Sequence, residues 1–177
     1  MKSGLILDVF LLPVFLMCSF SAAFAAETLC TDGELLIFTC RTPKKTASVC
    51  ASPQFGPDTG YLQYRFGEPG KIELTLPSVK APPAKSAQSG TWFFSGGGGA
   101  YLRFTGEDST DYFVYTAIGK WGKNGTTTDV AGISVQKDGK AFLNIKCRKP
   151  LVEGELGPDF FDKAGLPVVE KAFDLPD

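Results

Sequence analysis

The chain has 177 residues, 18 Lys+Arg against 19 Asp+Glu, and no histidine. The missing imidazole excludes Ser-His-Asp and Cys-His nucleophile systems and the usual zinc and copper centres, which leaves carboxylates, Lys and Tyr for any catalysis. A net charge of −1 lacks the positive excess that nucleic-acid binding requires.

Residues 1–25 read as a secretory signal peptide. Lys2 opens it, Leu5 to Phe20 is mainly apolar, and Ala23-Phe24-Ala25 is a small-x-small site with cleavage expected after Ala25. The apolar run falls short of the ~20 residues of a membrane span. A mature chain without a span, periplasmic or secreted, is the expectation. Cys18 follows Met17 rather than the small residue of lipoprotein processing, and it leaves with the signal.

Four cysteines remain: Cys30, Cys40, Cys50 and Cys147. In an exported chain an even count predicts two disulfides. Zinc would need paired C-x-x-C spacings or histidine partners, and no cofactor is expected. Leu35 to Cys40 and Thr46 to Cys50 read as the two strands of a hairpin around the turn at 41–45. Across that turn the expected bridge is Cys40–Cys50, which leaves Cys30–Cys147.

Pro53 to Gly60 is loop. Tyr61 to Phe66 alternates, with Leu62, Tyr64 and Phe66 on one face and Tyr61, Gln63 and Arg65 on the other. Ile72 to Leu76 alternates again, with Ile72, Leu74 and Leu76 inward. Pro77 to Gly90 has no periodicity. Thr91 to Phe94 resumes strand character, and Ala100 to Thr105 is the next strand. Asp111 to Ile118 is apolar on both faces, which suits a central strand. Asn124-Gly125 and Asp138-Gly139 are tight-turn dipeptides that bracket a strand at 130–136, and Ala141 to Cys147 is the last strand.

Eight or nine short strands with regular turns predict an all-β fold, an antiparallel sandwich or barrel, over residues 26–150. Residues 151–177 form a tail with one short helix. Pro158 fits a first helical position, Asp159 the first turn, and Lys163 and Gly165 the last turn and stop. Phe160 and Phe161 are placed to anchor the helix, and beyond Pro167 a loose end is expected. Residues 26–150 carry 15 basic and 11 acidic residues, whereas the tail carries 2 and 7. That split predicts a tail that folds back on the body, meets a basic partner, or stays solvated.

The motif that most invites a function is Ser95-Gly96-Gly97-Gly98-Gly99, followed by Ala100-Tyr101. A phosphate cradle needs a helix after its glycines, and a strand follows here. Two readings remain: a bent, side-chain-poor connection between strands, or a slim loop that enters a cleft on another protein. Glu107, Asp108 and Asp111 cluster in one turn. They supply too few ligands for a calcium loop; a glycosidase needs two carboxyls across a cleft, a spacing that a sequence does not reveal, and a turn rich in Asp and Glu is usually just a turn. Tyr61, Tyr64, Trp92, Phe93, Phe94, Tyr101, Tyr112, Tyr115 and Trp121 read as core or cross-strand aromatics before they read as a ligand groove. Lys120, Lys123, Lys146, Arg148 and Lys149 form a candidate basic patch.

The stretches IFTCRTPKKTASVC at 37–50, YLQYRFG at 61–67 and SGGGGAYLRF at 95–104 together resemble a widespread group of small exported bacterial β proteins. That resemblance implies export and fold and carries no activity. Ser95-Gly96 with Tyr101 resembles the Ser-Gly-x-x-Tyr loop of the periplasmic inhibitors of invertebrate-type lysozymes. Here Gly97 to Ala100 intervene where that loop has two residues. The resemblance implies a non-enzymatic exported binder whose partner is a lysozyme or another extracytoplasmic protein, with Ser95, Gly96, Gly97, Gly98, Gly99 and Tyr101 in the contact. The alternatives are a carboxylate-based hydrolase of an envelope or extracellular substrate and a structural envelope module.

Overall fold

The computed structural model describes residues 28–149, 154, 156–170 and 173–176. The expected cleavage site lies outside them. Among the described residues two antiparallel sheets form, and no closed barrel is present. The first contains β1 (Leu35–Arg41), β2 (Thr46–Ala51), β3 (Leu62–Glu68) and β4 (Lys71–Leu76) in sequence order. The second contains β5 (Gln88–Phe94), β6 (Gly97–Thr105), β7 (Thr110–Gly119), β8 (Thr128–Lys137) and β9 (Lys140–Lys146), again in order. Residues 77–87 connect the two sheets and include one helical turn, α1 (Pro83–Ser86); the loop expected at 77–90 ends earlier, because Gln88, Ser89 and Gly90 already pair with β6.

The sheets face one another across a shared apolar core. Phe38, Val49, Leu62 and Tyr64 come from the first sheet, and Ala100, Leu102, Phe104, Val114 and Ile133 from the second. Tyr64 and Phe104 meet at 5.7 Å between ring centroids. Full burial of each large side chain contributes roughly 1.5–3 kcal/mol, and alternation delivers these side chains to one face of each strand. Strand β7 is central in its sheet, as its two apolar faces require. One inward assignment fails. Ile72 is 46% exposed, because a bulge between Phe66 and Gly67 shifts the β3–β4 register before Ile72 pairs with Gly67.

The helix α2 (Pro158–Ala164) has the predicted bounds, with Pro at the first turn and Gly165 left-handed at φ 59°. Phe160 and Phe161 are buried in the inter-sheet core, and Phe160 packs on Phe55 at 5.4 Å. The chain beyond Pro167 is not loose. Ser89 donates to Pro167 and accepts from Val169, both at 2.9 Å, so the tail runs beside β5. Val169 and Phe173 then bury a second cluster on the outer face of the five-stranded sheet, with Tyr101, Phe113 and Tyr115. The acidic tail does fold back, and the contacts that hold it are aromatic and backbone contacts.

The disulfides are Cys30–Cys50 and Cys40–Cys147, not Cys40–Cys50 and Cys30–Cys147. Cys40 pairs with Ala47, on the core side of the sheet, whereas Cys50 pairs with Gln63 on the opposite side. Ala47 and Cys50 are three residues apart on one strand, so their side chains point to opposite faces. Cys50 instead holds residues 28–34 over the outer face of the four-stranded sheet, and Cys40 ties the first sheet to the end of β9. Two bridges fit the oxidising environment expected of an exported chain. Among the described residues no helix is long and apolar enough to cross a membrane.

Candidate functional site

The four-glycine run is mostly strand. Phe94 pairs with Gly97, so only Ser95 and Gly96 form the turn between β5 and β6. Gly96 sits at φ +80°, a conformation that favours glycine. Gly97 and Gly99 answer to a different constraint. A Cβ on Gly97 would lie 1.9 Å from the Ile118 carbonyl oxygen, and one on Gly99 would lie 2.7 Å from the Trp92 ring. These glycines let β6 approach β7 and let the indole lie flat against the strand. Bulky residues at Gly97 or Gly98 would therefore disturb the sheet itself, not only a loop. A Cβ on Gly98 also meets the Trp92 carbonyl oxygen, at 2.9 Å.

Tyr101 lies outside the turn. It is buried, with its ring 4.7 Å from Trp92 and 5.5 Å from Phe173 between centroids. Its hydroxyl accepts a 3.3 Å hydrogen bond from the Phe173 amide. The ring fills the space above Gly90, where a Cβ would come within 2.2 Å of it. As a contact residue for a partner Tyr101 is corrected to a core residue, leaving the exposed Ser95 and Gly96 at the tip.

Of the residues around that tip, Ile118 was not singled out in the sequence, and Phe93 and Trp121, read there first as core or cross-strand aromatics, are exposed. One rung across the sheet reads Phe93, Gly98, Ile118 and Asp129 on β5 to β8. Phe93 is 87% exposed and Ile118 is 52% exposed, with the bare backbone of Gly98 between them. The next rung, Thr91, Ala100, Thr116 and Ala131, is also short-chained. These residues floor an apolar groove of about 520 Å³ that Phe38, Leu156 and Pro158 wall from the other side. On the loop after β7, Trp121 is 43% exposed and packs on Phe94 at 5.3 Å. Lys120 runs its methylenes alongside Gly96. Two hairpin ends thus present an apolar slot on one face of the sheet, an indole on the opposite face and a cation beside the turn. No signal in the sequence joins Phe93 to Ile118; only the strand register puts them on one rung, on either side of Gly98.

The carboxylate cluster has structural work. Asp108 accepts from the Thr110 hydroxyl at 2.8 Å and from the Thr110 amide at 3.1 Å. These bonds hold its carboxyl below the ordinary range, opposite to the shift a general acid needs. Asp111 is paired with Arg103 at 2.8 Å. The basic residues divide into separate groups. Arg148 and Lys149 line a hollow with Arg41, Lys44 and Lys45, whereas Lys120 sits by Gly96.

Among the described residues, the one strongly buried charge pair lies on the other sheet. Arg65 makes two bonds to Glu34, at 2.6 and 2.7 Å, and donates to the Leu29 carbonyl and the Gln63 amide oxygen, both at 3.0 Å. Tyr61 adds a 2.7 Å bond to Glu34. Burial pushes the Glu34 carboxyl upward, but the bonds from Arg65, Tyr61 and Thr31 outweigh it and bring it down to about 2. Cys30, Glu34 and Cys50 lie close enough to hold a metal, but both sulfurs are committed to one disulfide. The face of β3 that carries Gln63 and Arg65 is thus a second, satisfied polar layer.

No protein-family model, curated protein or solved structure matches this chain.

Proposed function

We propose that this chain is an exported, non-enzymatic binding protein that engages an extracytoplasmic protein through the end of the five-stranded sheet. The observation that carries the reading is the exposure of Phe93 and Ile118 on one rung beside the bare Ser95-Gly96 turn, with the half-exposed Trp121 on the opposite face of the same sheet end. Large apolar side chains clustered on a free surface mark an interaction site, and aromatic anchors beside a pocket are where interface energy concentrates. In its specific form the partner is a lysozyme. The 95–96 tip would enter the substrate cleft, with Lys120 facing the acidic catalytic groups and Ser95 adding a hydrogen bond.

The test is purified mature protein against lysozymes of several types, read as direct binding and as residual lytic activity. Wild type is expected to bind and inhibit at least one. Phe93→Ser and Trp121→Ser should each weaken binding by tenfold or more, on the order of 1.4 kcal/mol, with the melting curve kept. Wild type that inhibits no lysozyme removes the lysozyme from the reading. Binding that survives a Phe93→Ser, Ile118→Ser double variant removes this face.

A further inference from the structure

The turn between β1 and β2 and the stretch that follows β9 enclose a hollow of about 350 Å³. Five cations line it, Arg41, Lys44, Lys45, Arg148 and Lys149, and among the described residues no carboxylate does. Covalent and backbone links bring these like charges together. The Cys40–Cys147 bridge sets its two Cα atoms 5.0 Å apart, and the next residue along the chain from each cysteine is an arginine. The Arg148 amide donates to the Arg41 carbonyl at 2.8 Å, so the two arginines stay neighbours despite their repulsion. Glu73 takes Lys45, and Asp129 takes Lys149, from outside the lining. Arg41, Lys44 and Arg148 have no acidic partner among the described residues.

Charge and donor geometry narrow the chemistry. The turn is closed on itself: the Thr42 hydroxyl donates to the Lys45 carbonyl at 2.8 Å and accepts from the Lys45 amide at 3.0 Å, and the Thr42 amide donates to the same carbonyl at 2.8 Å. Its backbone donors are used, so a ligand meets side-chain cations. A hollow lined by one sign of charge concentrates ligands of the other. A single carboxylate or a sulfate ester brings one negative charge, too little for three unmatched cations. A phosphate monoester brings about −1.5 to −2 at neutral pH. The guanidinium fork matches phosphate oxygens in pairs, and two such forks border this hollow. Its volume is at the low end of small-molecule sites, with Pro43 and Pro69 as stiff walls.

We propose that this hollow binds a phosphate monoester, with Arg41 and Arg148 on the phosphoryl oxygens and Lys44 as a further positive charge. It shares no lining residue with the groove beside Phe93, so the site does not depend on the reading given for that face.

The test titrates glucose 6-phosphate into ¹⁵N-labelled mature protein and follows the Nε–H resonances of Arg41 and Arg148. Glucose 6-sulfate and citrate are the anionic controls. Glucose 6-phosphate should shift both resonances saturably, with a dissociation constant on the order of 1 mM or tighter. Arg148→Gln should weaken binding about fivefold, the upper range for one exposed charge pair. The double variant Arg41→Gln, Arg148→Gln should abolish binding while the melting temperature holds or rises, because it removes like charges. Lys140→Gln, at the far end of β9, should bind as wild type does. Vesicles of phosphatidylcholine and phosphatidic acid present the same group on a lipid. Vesicle binding tighter than that of glucose 6-phosphate, and lost in the double variant, identifies a lipid headgroup as the source, whereas weaker or equal vesicle binding identifies a free phosphate ester. No saturable shift, an equal or stronger response to glucose 6-sulfate or citrate, or equal weakening by Lys140→Gln and Arg148→Gln (a diffuse basic surface) each overturns the proposal.

Discussion

The indole nitrogen of Trp92 donates a 2.6 Å hydrogen bond to the carbonyl oxygen of Phe173, 81 residues further along the chain. The Phe173 ring stacks on Phe113 at 4.3 Å and 15°, and its amide donates to Tyr101. One tail residue thus closes the outer face of the five-stranded sheet. Without it, that face would present Tyr101, Phe113 and Tyr115 to water. Phe173→Ala should destabilise the protein by about 3–5 kcal/mol, the usual cost of removing a buried phenylalanine. A melting curve and a red-shifted tryptophan emission would register it, and an unchanged melt would mean that the tail does not hold the sheet.

The Glu34–Arg65 pair gives stability a defined acid limb. The Glu34 carboxyl is lowered from 4.5 to about 2 in the folded protein. A depressed folded-state value contributes stability that is fully present above the unfolded value and is lost as pH falls through the folded one. Unfolding free energy should therefore fall between about pH 4.5 and 2, and Glu34→Gln should flatten that limb. Glu34→Ala should cost roughly 3–5 kcal/mol at neutral pH, because it strands a buried guanidinium. Urea titrations across the pH series measure both.

Peptide mapping under non-reducing conditions should link Cys30 to Cys50 and Cys40 to Cys147. The second bridge spans 107 residues and constrains the unfolded chain more, so Cys147→Ser with Cys40→Ser should lower stability by about 2–5 kcal/mol. A fragment linking Cys40 to Cys50 would contradict the strand register itself.

Glycine replacement separates turn from strand. Gly97→Ala places a methyl group against the Ile118 carbonyl oxygen and should cost more than about 3 kcal/mol through disruption of the β6–β7 ladder. Ser95→Ala, at the exposed tip, should leave the melting temperature within experimental error. Equal melting curves for the two variants would return Gly97 to the loop.

Much of this architecture was legible in the chain. Period-two alternation marked nearly every strand, because a pleated strand with one buried face needs it. Pro158, Asp159, Lys163 and Gly165 bounded α2, because helix ends are satisfied by local chemistry. The two apolar faces of β7 required a cover on each side. The identity of that cover was decided only by tertiary packing: the inter-sheet core on one face, Val169 and Phe173 on the other. Alternation tells which residues share a face and says nothing of what lies against it. For that reason Gln63 and Arg65 were placed on one face with no cover assigned, and only the structure shows Glu34 and residues 28–31 burying them. The disulfide partners depended on the same missing information, since nearness in sequence put Cys40 and Cys50 on one hairpin while the pleat put them on opposite sides. The glycines of 96–99 were visible as a run, but only the approach of β6 to β7 separates Gly96, which bends the chain, from Gly97 and Gly99, which let two strands and an indole close on one another.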